Sequence, residues 1–230
     1  MDKNMIQRWI HAIMTLAAIA VLSVSCREDE WFDPSPAARE GYVALRFSAD
    51  VPAMEKVATR AVDPDGGGVQ DMTLFCFDSY GLFITTVTAE VISTDVSNGT
   101  FQAQVPENTR TVHFLANQVM TDFEQDQFRS KSEAEVMALL EGSSGRMIYW
   151  ARFACDNSTD ELKKQTIAQQ MSGKGNSITM LRNHAKVSVN APEDNGYFTV
   201  KGFAVYNTNA FGTVAPYHPE KGFNFTETDW

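Results

Sequence analysis

Apolar residues recur at every second position in one segment after another of this chain. That period belongs to strands that lay one face on a core. In Tyr42-Val43-Ala44-Leu45-Arg46-Phe47, the residues Val43, Leu45 and Phe47 share a face and predict a first strand. Val69–Phe77 reads as the next strand, Asp78-Ser79-Tyr80-Gly81 as a turn, and Leu82–Ile92 as the hairpin partner. A turn at Ser97-Asn98-Gly99 precedes a strand over Phe101–Val105. Pro106-Glu107-Asn108 opens the next connection, and Thr111–Ala116 returns as a strand. Arg146–Phe153 is strand-like, Ser177–Val189 is expected to be a long strand with a bulge, and Tyr197–Tyr206 alternates and pairs with it. One helix is expected, over Thr121–Leu140, with Thr121 or Asp122 as its cap and Gly142 as its stop. Asp156–Gln165 is polar and reads as irregular or as a short helical turn, and after Asn207 the pattern runs out. The sum is mainly β: a Greek-key β-sandwich with one helix on an inter-strand connection.

The N-terminus sets the compartment. Arg8 gives a positive start, Ile10–Val24 is apolar, and Ser25 precedes Cys26, which together make a secretory signal too short for a stable membrane span. Leu22-Ser23-Val24-Ser25-Cys26 resembles a bacterial lipobox, with Ser23 where an aliphatic residue is usual. Cleavage is expected between Ser25 and Cys26, with lipidation of Cys26. The acidic Arg27-Glu28-Asp29-Glu30 looks like the tag that sends some lipoproteins to the outer leaflet. Several acyl chains, palmitate among them, hold a protein firmly to a bilayer at about 0.8 kcal/mol per buried CH2. The expected organisation is a signal peptide over 1–25, an acidic tether over 26–40, a β-sandwich domain over 41–206, and a tail or the start of a second domain over 207–230.

Charge narrows the partners. Removing residues 1–25 takes away Lys3, Arg8 and Asp2 and moves the formal charge from −10 to −11. Such a chain is repelled by nucleic acid and by anionic headgroups, so membrane attachment is expected through lipid. Cys76 and Cys155 remain, as a disulfide or as two small buried apolar residues.

No catalytic signature stands out. HExxH, GxSxG and the phosphate-binding Gly-Lys-Ser/Thr loop are missing from the sequence. His113, His184 and His218 lack ligand spacing, and His113, between Val112 and Phe114, is expected to face solvent. Asp63, Asp65 and Asp71 fail the EF-hand spacing. Neither an enzyme, a cofactor nor a metal is expected. Tyr149 and Trp150 fit a sandwich core better than a sugar platform, although a surface glycan-binding lipoprotein is the alternative reading. Residues 52–68, with Arg60-Ala61 in the middle and Gly66-Gly67-Gly68 at the end, form the longest patternless stretch, where exposed backbone invites proteolysis.

Several phrases together resemble the fimbrillin-like lipoproteins, the subunits and accessories of type V pili. They are Gln70-Asp71-Met72-Thr73-Leu74-Phe75-Cys76-Phe77-Asp78 with Gly81-Leu82-Phe83, then Val112-His113-Phe114-Leu115-Ala116-Asn117. Ile178-Thr179-Met180-Leu181-Arg182-Asn183-His184-Ala185-Lys186-Val187 and Phe211-Gly212-Thr213-Val214-Ala215-Pro216 complete the set. The resemblance implies a transthyretin-like sandwich on the cell surface and a role in adhesion as stalk, anchor or tip of a fimbrium. It implies an outer-membrane lipid anchor and an arginine-specific surface protease, for which Arg60-Ala61 is the expected cut. Residues 41–60 would then be a removable first strand and propeptide, whose place another fimbrial subunit fills by donating a strand.

Overall fold

The structure is a computed structural model that describes residues 38–51, 68–95, 98–118, 125–142, 147–183, 201–202, 204–206, 212–217, 220 and 222–223. The chain divides into two compact units, Met1–Ala37 and Ala38–Trp230, and all described residues lie in the second.

Among the described residues, nine strands build two sheets. They are β1 (Tyr42–Asp50), β2 (Met72–Phe77), β3 (Phe83–Thr88), β4 (Glu90–Thr94), β5 (Asn98–Pro106), β6 (Thr111–Ala116), β7 (Tyr149–Ala154), β8 (Ser177–Thr179) and β9 (Leu181–Arg182). The first sheet runs β4-β5-β1-β8 and the second β3-β2-β6-β7-β9. Their facing sides share one apolar cluster: Leu45, Phe47 and Phe101 from the first sheet meet Leu74, Phe114 and Tyr149 from the second. The expected mainly β sandwich is what forms.

The second sheet is covered on both faces. Along β2, Met72, Leu74 and Cys76 enter the shared core, while Phe75 and Phe77 enter a second cluster with Phe128, Val136, Met137, Leu140 and Trp150. This is why β2 and β6 read as continuous apolar runs and not as alternation. Val214 and Ala215, beyond the last patterned segment, are buried in that second cluster.

The structure differs from the sequence expectation in four places, and in a fifth, Asp156–Gln165, it forms the short helical turn that the sequence allowed. The expected helix over Thr121–Leu140 is replaced, among its described residues, by a 3-10 turn at Gln125–Phe128 and helix α1 at Glu133–Ala138. Ser130 lies between them at φ 62°, which no α-helix accepts, and a capping box restarts the chain: Ser132 receives the Glu135 amide and Glu135 reaches back to Ser132. The stretch Leu82–Ile92 is two strands, because the chain passes from one sheet to the other at Ala89, whose amide donates to the Met72 carbonyl at 2.9 Å. Ser177–Val189 likewise divides at Met180 into β8 and β9, which lie in different sheets, and residues 184–189 fall outside the described part. Within Tyr197–Tyr206, residues 201–202 and 204–206 carry no strand. The polar stretch Asp156–Gln165 holds a short helix, α2 (Asp160–Lys164), capped by Thr159, and α3 (Ile167–Gly173) follows with a Thr166–Gln169 capping box.

Candidate functional site

The first strand fills a slot in the first sheet. It pairs antiparallel with β5 over its whole length, from Tyr42 opposite Pro106 to Asp50 opposite Asn98. On its other side it pairs parallel with β8 at Ser48, Ala49 and Asp50. Alternation sends Leu45, Phe47 and Ala49 inward, where they are 2%, 1% and 0% exposed. Across the ladder these face Ala103, Phe101 and Gly99, so leucine meets alanine at one end, two small residues meet at the other, and two rings meet in the middle. Phe47 stacks on Phe101 with centroids 5.8 Å apart and meets the edge of Phe114 at 5.0 Å. Gly99 is fixed by this packing, because a Cβ there would lie 2.6 Å from the Phe101 ring. Without β1, the β5 edge and the floor of Phe101 and Phe114 would be left uncovered.

The slot has firm ends. Before β1, Gly41 takes a positive φ of 76° and its carbonyl receives the Glu107 amide at 3.0 Å. At the far end, the Met180 amide donates to Asp50 O at 2.8 Å and the Ser177 hydroxyl donates to the Asp50 carboxylate. The chain is caught again at Asn117, a buried residue in the left-handed region at φ 63°. Its Oδ1 receives the Gln70 amide at 2.8 Å, its Nδ2 donates to Gly68 O at 2.9 Å and Met147 O at 3.2 Å, and its own amide donates to Asp71 Oδ1 at 2.8 Å. Residues 52–67 thus run between one end tied to β8 and another tied to Asn117.

Arg60 and Ala61 belong to that segment and, with Ser25 and Cys26, lie outside the described residues. Two of the described arginines are held in structure. Arg46 lies within the β1–β5 ladder, and Arg110 donates its amide to Phe77 O and accepts the Cys155 amide, each at 2.8 Å. Arg129 is different, an exposed side chain in a turn, paired with Asp126 at 2.7 Å.

Tyr149 and Trp150 are each 3% exposed and so present no sugar-stacking face. Cys76 and Cys155 are both free and buried, so of the two alternatives the disulfide is not formed. Burial pushes the Cys76 thiol up to about 12 and raises that of Cys155. Among the described residues, no three His, Cys, Asp or Glu side chains converge as a cation would need.

His113 does not face solvent, as its place between Val112 and Phe114 suggested. It is fully buried, with Nε2 2.9 Å from Glu133 Oε2 and Nδ1 accepting the Trp150 indole N–H at 3.1 Å. Glu133 in turn takes Arg152 Nε at 2.8 Å and Nη2 at 3.2 Å. Neither this cluster nor the Asn117 clasp was marked in the sequence. The one available signal was Ser132-x-x-Glu135, which starts a helix with Glu133 in its first turn.

The described residues thus define a two-sheet β-sandwich whose first strand lies in a slot between β5 and β8. The chain is 27% identical over 220 residues, 93% of its length, to the major fimbrium tip subunit FimE of Porphyromonas gingivalis. It spans 36% of that relative's length. No protein-family model matches. Among solved structures, a fimbrial assembly protein from Parabacteroides distasonis aligns over 61% of this chain and 54% of its own at 10% identity, with a TM-score of 0.27, too low to bear on the fold. The resemblance to fimbrillin-like fimbrial subunits read from the sequence therefore holds, and the chain is related to a fimbrial subunit.

Proposed function

We propose that this protein is a structural subunit of a fimbrium that accepts a strand from a neighbouring subunit in place of β1. The observation that carries the reading is the double role of β1. The strand buries Leu45, Phe47 and Ala49 in the shared core, and the segment that joins it to the rest of the sandwich contains Arg60-Ala61. A cut there leaves β1 attached only by packing and backbone hydrogen bonds, which an incoming strand can replace by the same alternation.

In this reading the chain is exported and cut between Ser25 and Cys26. It is anchored to the outer membrane through lipid on Cys26, and trimmed after Arg60 by an arginine-specific surface protease. Its role is structural and adhesive, not catalytic. The relative's role as a tip subunit favours a position at the end of a fibre.

Digestion of the purified protein with an arginine-specific protease, followed by sequencing of the new N-terminus, tests this. The expected result is one dominant cut giving Ala61, with the segment from Gly68 to Asn183 intact. A first cut after Arg129, or no cut before Gly68, would count against the processing step.

A further inference from the structure

Open sheets have edge strands, and among the described residues three of the four are blunted. Strands β8 and β9 have three and two residues, and β4 carries Glu90 and a register shift between Val91 and Ser93. The fourth, β3, has six residues, none of them charged. Its edge is closed at the start, where the Phe83 amide donates to Lys131 O at 2.9 Å, and borders a cleft from Thr85 to Thr88. The Ala89 amide on Met72 O marks Met72–Ala89 as a bonded pair of the β2–β3 ladder, so the next bonded pairs are Leu74–Val87 and Cys76–Thr85. Thr86 and Thr88 lie between these pairs and turn their N–H and C=O groups away from β2. Apart from the Thr85 hydroxyl on Thr86 O at 3.2 Å, these groups have no partner among the described residues.

The cleft has a volume of about 430 Å3, and its other wall belongs to the first sheet. Strand β4 pairs with β5 only as far as Gln102, so Gln104 has no strand beside it on that side and lines the cleft with Arg39 and Tyr42. Gln104 Oε1 receives the Arg39 amide at 3.2 Å, and the Arg39 guanidinium lies over the Tyr42 ring at 3.9 Å. The guanidinium is thus held in place, while its own donors have no partner among the described residues. No Asp or Glu stands among the described residues that line the cleft. One wall offers backbone donors and acceptors, and the other an unpaired cation. Together they select an extended segment that carries a carboxylate.

We propose that the open edge of β3 is a strand-addition site, separate from the slot of β1, for an extended segment of another protein with an acidic residue opposite Arg39. Thr86 and Thr88 supply the backbone ladder, and Arg39 sets the register by taking the carboxylate. The β1 sequence does not match this cleft, because it brings an apolar face and places Arg46 at its centre. Arg39 and Tyr42 precede Arg60, so both belong to the part that a cut there would separate from the sandwich. The site is therefore complete in the uncut chain with β1 in place. It does not depend on the cut, and it is lost when another strand replaces β1.

The test is binding of a short fluorescent peptide to the intact, uncut protein. The peptide alternates threonine and valine, carries one glutamate at its centre and is blocked at both ends. Anisotropy should report saturable binding at one peptide per chain, and amide exchange at Thr86 and Thr88 should slow while the β1–β5 ladder is unchanged. Losing a charge-assisted contact weakens binding by about tenfold, which is the effect expected of Arg39→Gln and of glutamine in place of the peptide's glutamate. The two changes together should cost no more than either alone. Thr86→Pro removes a donor from the open edge and spares the bonds to β2, so it should abolish binding. Should that variant fail to fold, amide exchange at Thr86 and Thr88 in the wild type decides. No binding, binding indifferent to Arg39, or protection away from β3 would overturn the proposal. So would protection of the two amides that rises with protein concentration alone, which would assign the edge to a second copy of this chain. None of these outcomes bears on the slot of β1, which is tested after cutting.

Discussion

Phe47 is the residue on which the slot depends most. It sits at the centre of the strand, 1% exposed, against Phe101 on one side and Phe114 on the other. Phe47→Ala should cost the uncut protein about 3–5 kcal/mol, the usual range for removing a core phenylalanine, read as a lowered midpoint of chemical denaturation. A loss below about 1 kcal/mol would mean that β1 contributes little to the core. The alternation of Val43, Leu45 and Phe47 made this face legible, because a strand over one core leaves a period of two in the sequence. His113 was illegible for a related reason. The same period, taken one residue along, predicts an outward side chain, and nothing local says that α1 covers that outer face.

At the scale of elements, strand existence was legible and strand allegiance was not. The segment Phe83–Thr94 looks like one strand, yet its first half belongs to the second sheet and its second half to the first. The corner is Ala89, and an alanine carries no turn signature. The same holds for Met180 between β8 and β9. The overlong helix had a different cause: its polar and apolar residues permit a continuous helix, and Ser130 at φ 62° with the Ser132 capping box is what divides it.

Asn117 acts between elements, joining the end of β6 to the re-entering chain at Gly68–Asp71 and to Met147 just before β7. Asn117→Ala leaves the Gln70 amide and the Gly68 and Met147 carbonyls without these partners and forces alanine to φ 63°, for an expected loss of about 2–4 kcal/mol. Limited proteolysis should then trim the new N-terminus past Gly68, whereas the wild type stops before it. Identical trimming in both would show that Asn117 does not set that boundary.

For the whole molecule, a cut does not by itself empty the slot. Fully buried leucine and phenylalanine side chains each contribute about 1.5–3 kcal/mol, and the nine-residue β1–β5 ladder adds backbone bonds, so the cut strand stays bound until something displaces it. Displacement by a strand of the same pattern is then close to isoenergetic, residue for residue, which suits exchange better than dissociation followed by capture. The acidic surface, with a formal charge of −10 over the full chain, adds no attraction between like subunits, so specificity falls to the apolar face of the donor.

The central claim is that the first sheet holds a slot for one replaceable strand. The most direct measurement is exchange of a labelled peptide spanning residues 41–51 into the protein after arginine-specific cutting, followed by fluorescence anisotropy. The account predicts saturable binding at one peptide per subunit that requires the cut and is abolished when the peptide carries Phe47→Asp. Binding to the uncut protein, equal binding of the Phe47→Asp peptide, or no binding after the native β1 has been displaced would contradict it.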